Sequence, residues 1–104
     1  MKFSIIMPTF NNMNVIRKSV DSIITQTYEN WELIIVNDGS TDDTVEVLEE
    51  YIKNDNRVKL ITQVNKGPFQ ARINGLKQAT GDYLLFSDAD DYYEKDSLLI
   101  LNEF

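Results

Sequence analysis

The sequence contains no cysteine and no histidine among its 104 residues, and these two absences exclude several kinds of site. Without cysteine there is no disulfide framework and no thiolate metal site. Without histidine there is no Ser-His or Cys-His nucleophilic pair, and no imidazole to bind a metal. The lack of cysteine fits a reducing compartment, so we expect the protein in the cytoplasm.

Basic residues and long apolar runs are scarce as well. The chain has 10 Lys and Arg against 17 Asp and Glu, for a net charge of -7. Because neither half of the chain has a basic stripe, we predict no nucleic-acid partner. No apolar run approaches the ~20 residues that span a bilayer, and no signal-peptide pattern is found. In a longer parent chain we expect at most a peripheral position at the inner face of the membrane.

Short apolar runs alternate along the chain with longer stretches of helical periodicity. The runs that predict strands are 3–7, 31–36, 58–62 and 83–86. The stretches that predict helices are about 13–27, 40–54, 68–80 and 95 onward. The order β-α-β-α-β-α-β-α, with helical crossovers, indicates an α/β fold with a mainly parallel sheet flanked by helices.

Local signals refine the helices. Ser40 is the predicted N-cap of the second helix, and Pro68 suits the first turn of the third. The residues expected to face inward from the third helix are Phe69, Ile73, Leu76 and Ala79. The last helix carries Leu98, Leu99 and Leu101. Because the pattern stops in mid-element at Phe104, we expect residues 1–104 to be one N-terminal part of a larger domain.

Polar segments follow every predicted strand. They are Pro8–Asn12, Asn37–Ser40, Asn65–Gly67 and Ser87–Asp91. In an open parallel sheet, ligands bind outside the carboxyl ends of the strands. We therefore expect these segments to meet at one edge of the sheet and to form a binding site there.

Asp88, Asp90 and Asp91 place three carboxylates within four residues, directly after an apolar strand. These charges repel one another unless a cation neutralises them, and hard oxygen ligands select Mg²⁺, Mn²⁺ or Ca²⁺. Such a cation can bridge to a diphosphate, which this acidic chain would otherwise repel. The alternative is a solvated acidic loop before a helix N-terminus, where Asp is favoured anyway. The position after a strand favours metal binding.

Four other polar residues can each be interpreted as binding residues or as structural ones. Asp38 can accept a hydrogen bond from the ring N–H of a base, or it can form a turn. Thr9 and Asn11 can belong to a base pocket or to the turn beside Pro8. Arg72 can pair with a phosphate or hold the acidic loop, or it can form a surface salt bridge.

Several segments, in this order and spacing, resemble the family 2 glycosyltransferases. Ser4–Asn11 is similar to the family's first strand, which ends in Pro-Thr-Tyr-Asn, with Phe10 in place of Tyr. Glu32–Asp42 resembles the block Glu-Ile-Ile-Val-Val-Asp-Asp-Gly-Ser-Thr-Asp, with Asn37 in place of the first Asp. Further similar segments are 22–28 in the first helix, 65–67, 71–75 with Ile73 as a departure, and 81–91, which carries the Asp-x-Asp motif.

The resemblance implies a GT-A (Rossmann-like) fold that binds a nucleotide-diphosphate sugar, most often a UDP-sugar. The residues implied to bind the nucleotide are Pro8, Thr9, Asn11, Asp38, Asn65, Arg72 and Asp88. The residues implied to hold Mn²⁺ or Mg²⁺ are Asp90, Asp88 and Asp91. The metal stabilises the departing nucleoside diphosphate while an acceptor hydroxyl attacks with inversion. The general base is implied to lie downstream, so we expect this chain to bind nucleotide without catalysing transfer.

Two other classes stay open. One is a nucleotidyltransferase or phosphotransferase of similar fold, which would use the same metal on a different bond. The other is a non-catalytic scaffold domain with a solvated acidic loop. Metal-dependent nucleotide binding separates the scaffold from the enzymes. Polysaccharide, teichoic-acid and glycoprotein acceptors, lipid-linked or free, are all compatible with the sequence, and so is any oligomeric state.

Overall fold

The computed structural model describes all 104 residues. Four strands and four helices alternate along the chain. The elements are β1 (Phe3–Thr9), α1 (Ile16–Ile24), β2 (Trp31–Asn37), α2 (Thr44–Asn54), β3 (Val58–Thr62), α3 (Pro68–Gln78), β4 (Tyr83–Phe86) and α4 (Ser97–Asn102). The predicted order of strands and helices is confirmed. None of the helices combines the length and the apolar character that a bilayer crossing requires.

The strands form a single parallel sheet in the order β3-β2-β1-β4. In this register Phe3 lies beside both Trp31 and Tyr83, so β1 pairs with β2 on one side and with β4 on the other. Every residue of β2 is buried. Burial on both faces explains why this strand has an almost continuous apolar sequence rather than an alternating one.

Helices cover both faces of the sheet. On one face α1, α2 and α4 pack over a core in which Ile5, Met7 and Leu33 are fully buried. On the other face α3 packs over Ile34 and Val36. The central strands are therefore fixed from both sides, and their carboxyl ends are held in register where the site residues begin.

The inward face of α3 differs from the prediction. Phe69 is 74% exposed and Leu76 is 42% exposed, whereas Ala71 and Gly75 are buried against the sheet. A Cβ atom on Gly75 would lie 2.6 Å from Ile6 Cγ2, so the helix backbone approaches the sheet too closely for a larger residue. The periodicity of large apolar residues was misleading because the contact is made by small ones.

Two helix starts also differ from the prediction. α1 spans Ile16–Ile24 rather than about 13–27, because residues 13–15 form a turn. α2 begins at Thr44, so the prediction of Ser40 as its N-cap was wrong. The Ser40 hydroxyl instead accepts a hydrogen bond from Asn11 N at 3.0 Å. This serine joins the loop after β2 to the loop after β1, and both loops border the candidate site.

In α4, Leu98 is buried in the core, while Leu99 and Leu101 are 42% and 43% exposed. Of the three leucines that the sequence singled out, Leu98 alone is therefore part of the buried core.

Candidate functional site

The polar segments after the strands meet at one edge of the sheet, as expected, and they enclose a cleft of about 260 Å³. Its lining residues are Pro8, Thr9, Phe10, Asn12, Asp38, Pro68, Asp88, Ala89 and Asp90. Five residues that the sequence singled out for nucleotide or metal binding are in this set. The carboxyl ends of β1, β2 and β4 each supply part of the wall, which is the usual place for a ligand in a parallel sheet.

The acidic loop brings its three carboxylates together. Oxygen atoms of Asp88, Asp90 and Asp91 lie within 4.8 Å of one another, and all three residues are exposed. Oxygen ligands at 2.0–2.6 Å from one cation lie up to about 4–5 Å apart. The set consists of carboxylates alone, which are the hard ligands that Mg²⁺ and Mn²⁺ accept. The residues present therefore fit a divalent cation.

Asp38 lies at the other wall of the cleft and is 4% exposed. Its carboxylate accepts hydrogen bonds from Gln63 Nε2 at 2.8 Å, Lys66 N at 2.7 Å and Gly67 N at 2.9 Å. Burial by itself raises the pKa of Asp38, but these three donors outweigh it and hold the pKa below its usual value. A carboxylate offers about four acceptor positions, so one position is left for a ligand.

The segment Asn65–Gly67 is fixed by these bonds to Asp38. Gly67 has a φ of 93°, a conformation that favours glycine, and it precedes Pro68 at the start of α3. Asn65 packs on the opposite loop, because a Cβ on Gly39 would lie 3.1 Å from Asn65 N. Asn65 does not line the cleft, so its place in this structure is in the loop that borders it.

Thr9 and Asn11 occupy different positions although both follow β1. The Thr9 hydroxyl donates to Asn12 Oδ1 at 2.8 Å, and both residues line the cleft. Asn11 adopts a φ of 52° and lies outside the lining. Its Oδ1 accepts from Thr41 N at 2.8 Å and from Asp42 N at 3.3 Å. Asn11 therefore ties the β1 loop to the β2 loop.

Arg72 reaches the acidic loop from α3. Its Nη2 lies 3.4 Å from Asp88 Oδ1, and both side chains are partly exposed to solvent. This contact fits two of the interpretations that the sequence left open, a residue that holds the acidic loop and a surface salt bridge. An exposed pair of this kind contributes little to stability, and its guanidinium keeps donors free for an anion.

The sequence analysis did not single out all the residues around the cleft. Phe10, Asn12 and Ala89 line the cleft and lie within the polar segments that were predicted to form the site. The sequence indicated these segments without marking the three residues individually.

Ser19, Ser22 and Gln26, in α1 and just after it, contact the chain that follows β4, and the sequence assigned them no role there. Ser22 and Gln26 lie in segment 22–28, which resembles the family, but helical periodicity marks only apolar residues.

Comparison with known proteins adds to this geometry. The family model described as glycosyl transferase family 2 matches residues 4–104. Glycosyltransferase GlyA of Streptococcus pneumoniae serotype 4 is 46% identical over 95 residues, which are 91% of this chain and 14% of GlyA.

Two solved structures are similar as well. The crystal structure of S. aureus TarS 1-349 in complex with UDP-GlcNAc is 36% identical with a TM-score of 0.93, over 99% of this chain and 30% of that one. Mannosyltransferase PcManGT from Pyrobaculum calidifontis, in complex with GDP-Man and Mn²⁺, is 25% identical with a TM-score of 0.85, over 93% of this chain and 30% of that one.

The chain thus spans less than a third of each of these proteins. Within that span the similarity covers the parallel sheet and the cleft at its carboxyl edge, and the predicted GT-A fold is confirmed. The family match extends over almost every residue. This chain belongs to glycosyl transferase family 2.

Proposed function

We propose that this chain binds the nucleotide of a UDP-sugar for a glycosyltransferase, through a divalent cation held by the acidic loop. The observation that carries the proposal is the cleft that joins a buried acceptor, Asp38, to the carboxylates of Asp88 and Asp90. A site for a nucleoside diphosphate needs a polar group that binds the base and a positive charge that binds the phosphates. The two ends of this cleft would supply them, through Asp38 and through a cation on the acidic loop.

At the base end, the remaining acceptor position of Asp38 suits the ring N–H of uracil. Thr9 lies in the same wall, where its hydroxyl is oriented by Asn12. The complex of TarS with UDP-GlcNAc supports uridine as the nucleoside, because TarS is the more similar of the two structures described above.

At the phosphate end, Asp90 with Asp88 and Asp91 would hold Mn²⁺ or Mg²⁺. The bound cation would neutralise the diphosphate and stabilise it as a leaving group. The structure of PcManGT in complex with GDP-Man and Mn²⁺ supports this assignment. Arg72, 3.4 Å from Asp88, would restrain that carboxylate and direct its free N–H groups toward the phosphates.

Transfer itself is proposed for the whole protein. The cleft of about 260 Å³ is lined by Asp38, Asp88 and Asp90, the residues proposed here for the nucleotide and its cation. The acceptor hydroxyl would attack the anomeric carbon with inversion while a general base removes its proton. We propose that this base lies outside residues 1–104, so that the chain alone binds nucleotide without turnover.

Titration with UDP, with and without Mn²⁺, tests the proposal. We expect Mn²⁺ to strengthen UDP binding, and we expect Asp90→Ala to weaken binding in Mn²⁺ by at least about 10-fold, because loss of groups that support a metal costs about 10- to 100-fold in affinity. Isothermal calorimetry gives both affinities. Glu49→Ala removes one negative charge from the exposed side of α2 and serves as the control, with no expected change.

The opposite result is equally clear. If the wild-type chain binds UDP no better with Mn²⁺ than without it, the acidic loop is a solvated surface and the cation-dependent proposal is wrong. If Asp90→Ala and Glu49→Ala weaken binding equally, the effect is one of overall charge rather than of a ligand to the metal.

A further inference from the structure

One side of α1 carries polar side chains that contact the backbone of residues 89–98 instead of water. We call residues 89–98, which begin in the acidic loop, the acidic segment. Ser19 Oγ donates to Ala89 O at 2.6 Å and also contacts Asp91 O. Ser22 Oγ accepts from Tyr93 N at 3.0 Å. These contacts join residues about 70 positions apart in the sequence, and they all involve the backbone of the acidic segment.

Gln26 lies just after the C-terminal end of α1 and continues this row. Its Nε2 donates to Glu94 O at 2.6 Å, and its Oε1 accepts from Leu98 N at 3.0 Å. Together, Ser19, Ser22 and Gln26 thus contact the backbone from residue 89 to residue 98. We name these three residues the α1 polar row.

The hydrogen bonds of the α1 polar row hold the acidic segment firmly because two of the three side chains are buried. Ser19 is 1% exposed and Gln26 is 5% exposed, so water cannot replace their partners without opening the structure. Buried polar groups that lose their hydrogen bonds destabilise the conformation that loses them. Ala89 is itself 4% exposed, between the exposed Asp88 and Asp90. The backbone of the acidic loop is therefore held by hydrogen bonds on its buried side, while its carboxylates are exposed on the other side.

Three carboxylates within 4.8 Å of one another repel each other, so a flexible loop would move them apart before a cation binds. We propose that Ser19 and Gln26 are positioning residues that hold the acidic loop in its cation-binding arrangement. Ser19 fixes the two carbonyl groups that flank Asp90, and Gln26 fixes the segment that leaves the loop toward α4. This inference rests on the proposed function and deepens it, since a ligand set that is ordered in advance binds a metal more tightly.

Ser19→Ala is the direct test. We expect it to weaken Mn²⁺-dependent UDP binding about 10-fold, the lower end of the range for groups that orient metal ligands. UDP affinity without metal is expected to stay unchanged, because Asp38 and Thr9 do not contact the row. Calorimetry measures the metal-dependent affinity, and amide NMR shifts measure the metal-free one. Ser19→Thr retains the hydroxyl and is expected to restore most of the metal-dependent affinity.

Thr25→Ala is the matched control. It removes another hydroxyl from the end of α1, one that donates to Asp21 O within the same helix turn and makes no hydrogen bond to residues 89–98. Neither affinity is expected to change. Gln26→Met removes the polar groups at similar volume and gives an independent variant, with the same selective loss expected.

The outcomes separate the two proposals. If wild-type protein shows no gain from Mn²⁺, the proposed function fails and this inference fails with it. If wild-type protein gains affinity from Mn²⁺ and both Ser19→Ala and Gln26→Met gain as much, only the positioning role is overturned. A parallel loss of both affinities in these variants also overturns it, because a general loss of structure would affect Asp38 and the acidic loop alike.

Discussion

Replacing Glu32 by Ala is expected to lower the free energy of unfolding by about 2–3 kcal/mol, although this residue lies at the start of β2, away from the cleft. Glu32 is 2% exposed within the sheet. Its carboxylate accepts hydrogen bonds from Ser4 Oγ at 2.6 Å, Lys59 Nζ at 2.8 Å and Thr80 N at 2.6 Å. It therefore connects three strands and the segment between α3 and β4. Chemical denaturation measures the change.

The size of this effect follows from what Ala would leave behind. The hydroxyl of Ser4 would lose its acceptor in a buried place, and the amide of Thr80 would lose its acceptor in a partly buried one. Lys59 is 47% exposed, so its ammonium can turn to water, and the loss stays below the ~3–5 kcal/mol of a pair buried on both sides. For a domain of this size, we expect the melting temperature to fall by about 10–20 °C. Glu49→Ala on α2 is the control and should change it little.

The stability is also expected to depend on pH through Glu32. Burial raises the pKa of Glu32, but hydrogen bonds from Lys59, Ser4 and Thr80 outweigh burial and lower the pKa to about 2. Because the folded pKa lies below the unfolded value of ~4.3, this contribution is complete above that value. It is lost as the pH falls from about 4.3 to about 2. In Glu32→Gln this part of the pH dependence should be absent. A variant curve parallel to the wild-type curve over that range would contradict the assignment.

Glu32 also shows what the sequence could and could not predict. Its strand was predicted correctly, because an apolar run of this length between turn residues has few alternatives. The role of the glutamate was not predicted, since its partners are 27, 28 and 48 positions away in the chain. Side-chain networks of this kind depend on how the strands are ordered in space, and local periodicity carries no information about that order.

The same distinction applies to the candidate site. Five of the nine residues around the cleft were singled out from the sequence because they lie at or just after the ends of strands, and strand order alone brings them to one edge. The role of the α1 polar row was not predicted, because its partners lie about 70 positions further along the chain. The prediction that Phe69 and Leu76 face inward from α3 was wrong for a different reason. Gly75 allows the helix to approach Ile6, and a close approach reverses the usual rule that the largest apolar residues face the core.

Asp38→Ala is expected to lower UDP affinity by more than about 10-fold both with and without Mn²⁺, which distinguishes it from Asp90→Ala. Asp38 would serve the base end of the cleft twice. It offers an acceptor to the ligand, and it holds Lys66 N and Gly67 N in the loop that leads into α3. The loss of a buried acceptor for these N–H groups should also cost about 1–3 kcal/mol of stability. Calorimetry with UDP and thermal unfolding give the two quantities.

Asp42→Ala provides the matched control for Asp38. Asp42 is also a carboxylate in the loop after β2, and its pKa is likewise held low: burial acts to raise it, and hydrogen bonds from Thr44 and Met13 N outweigh that effect. It does not line the cleft. We expect Asp42→Ala to lose about 1 kcal/mol, because Thr44 N and Met13 N lose their acceptor, and to retain UDP binding. If both variants lost UDP affinity to the same degree, the loop's order alone would govern binding. The direct contact of Asp38 with the base would then be wrong. Loss in Asp38→Ala alone would place the nucleoside at Asp38, with the diphosphate directed toward Asp88 and Asp90.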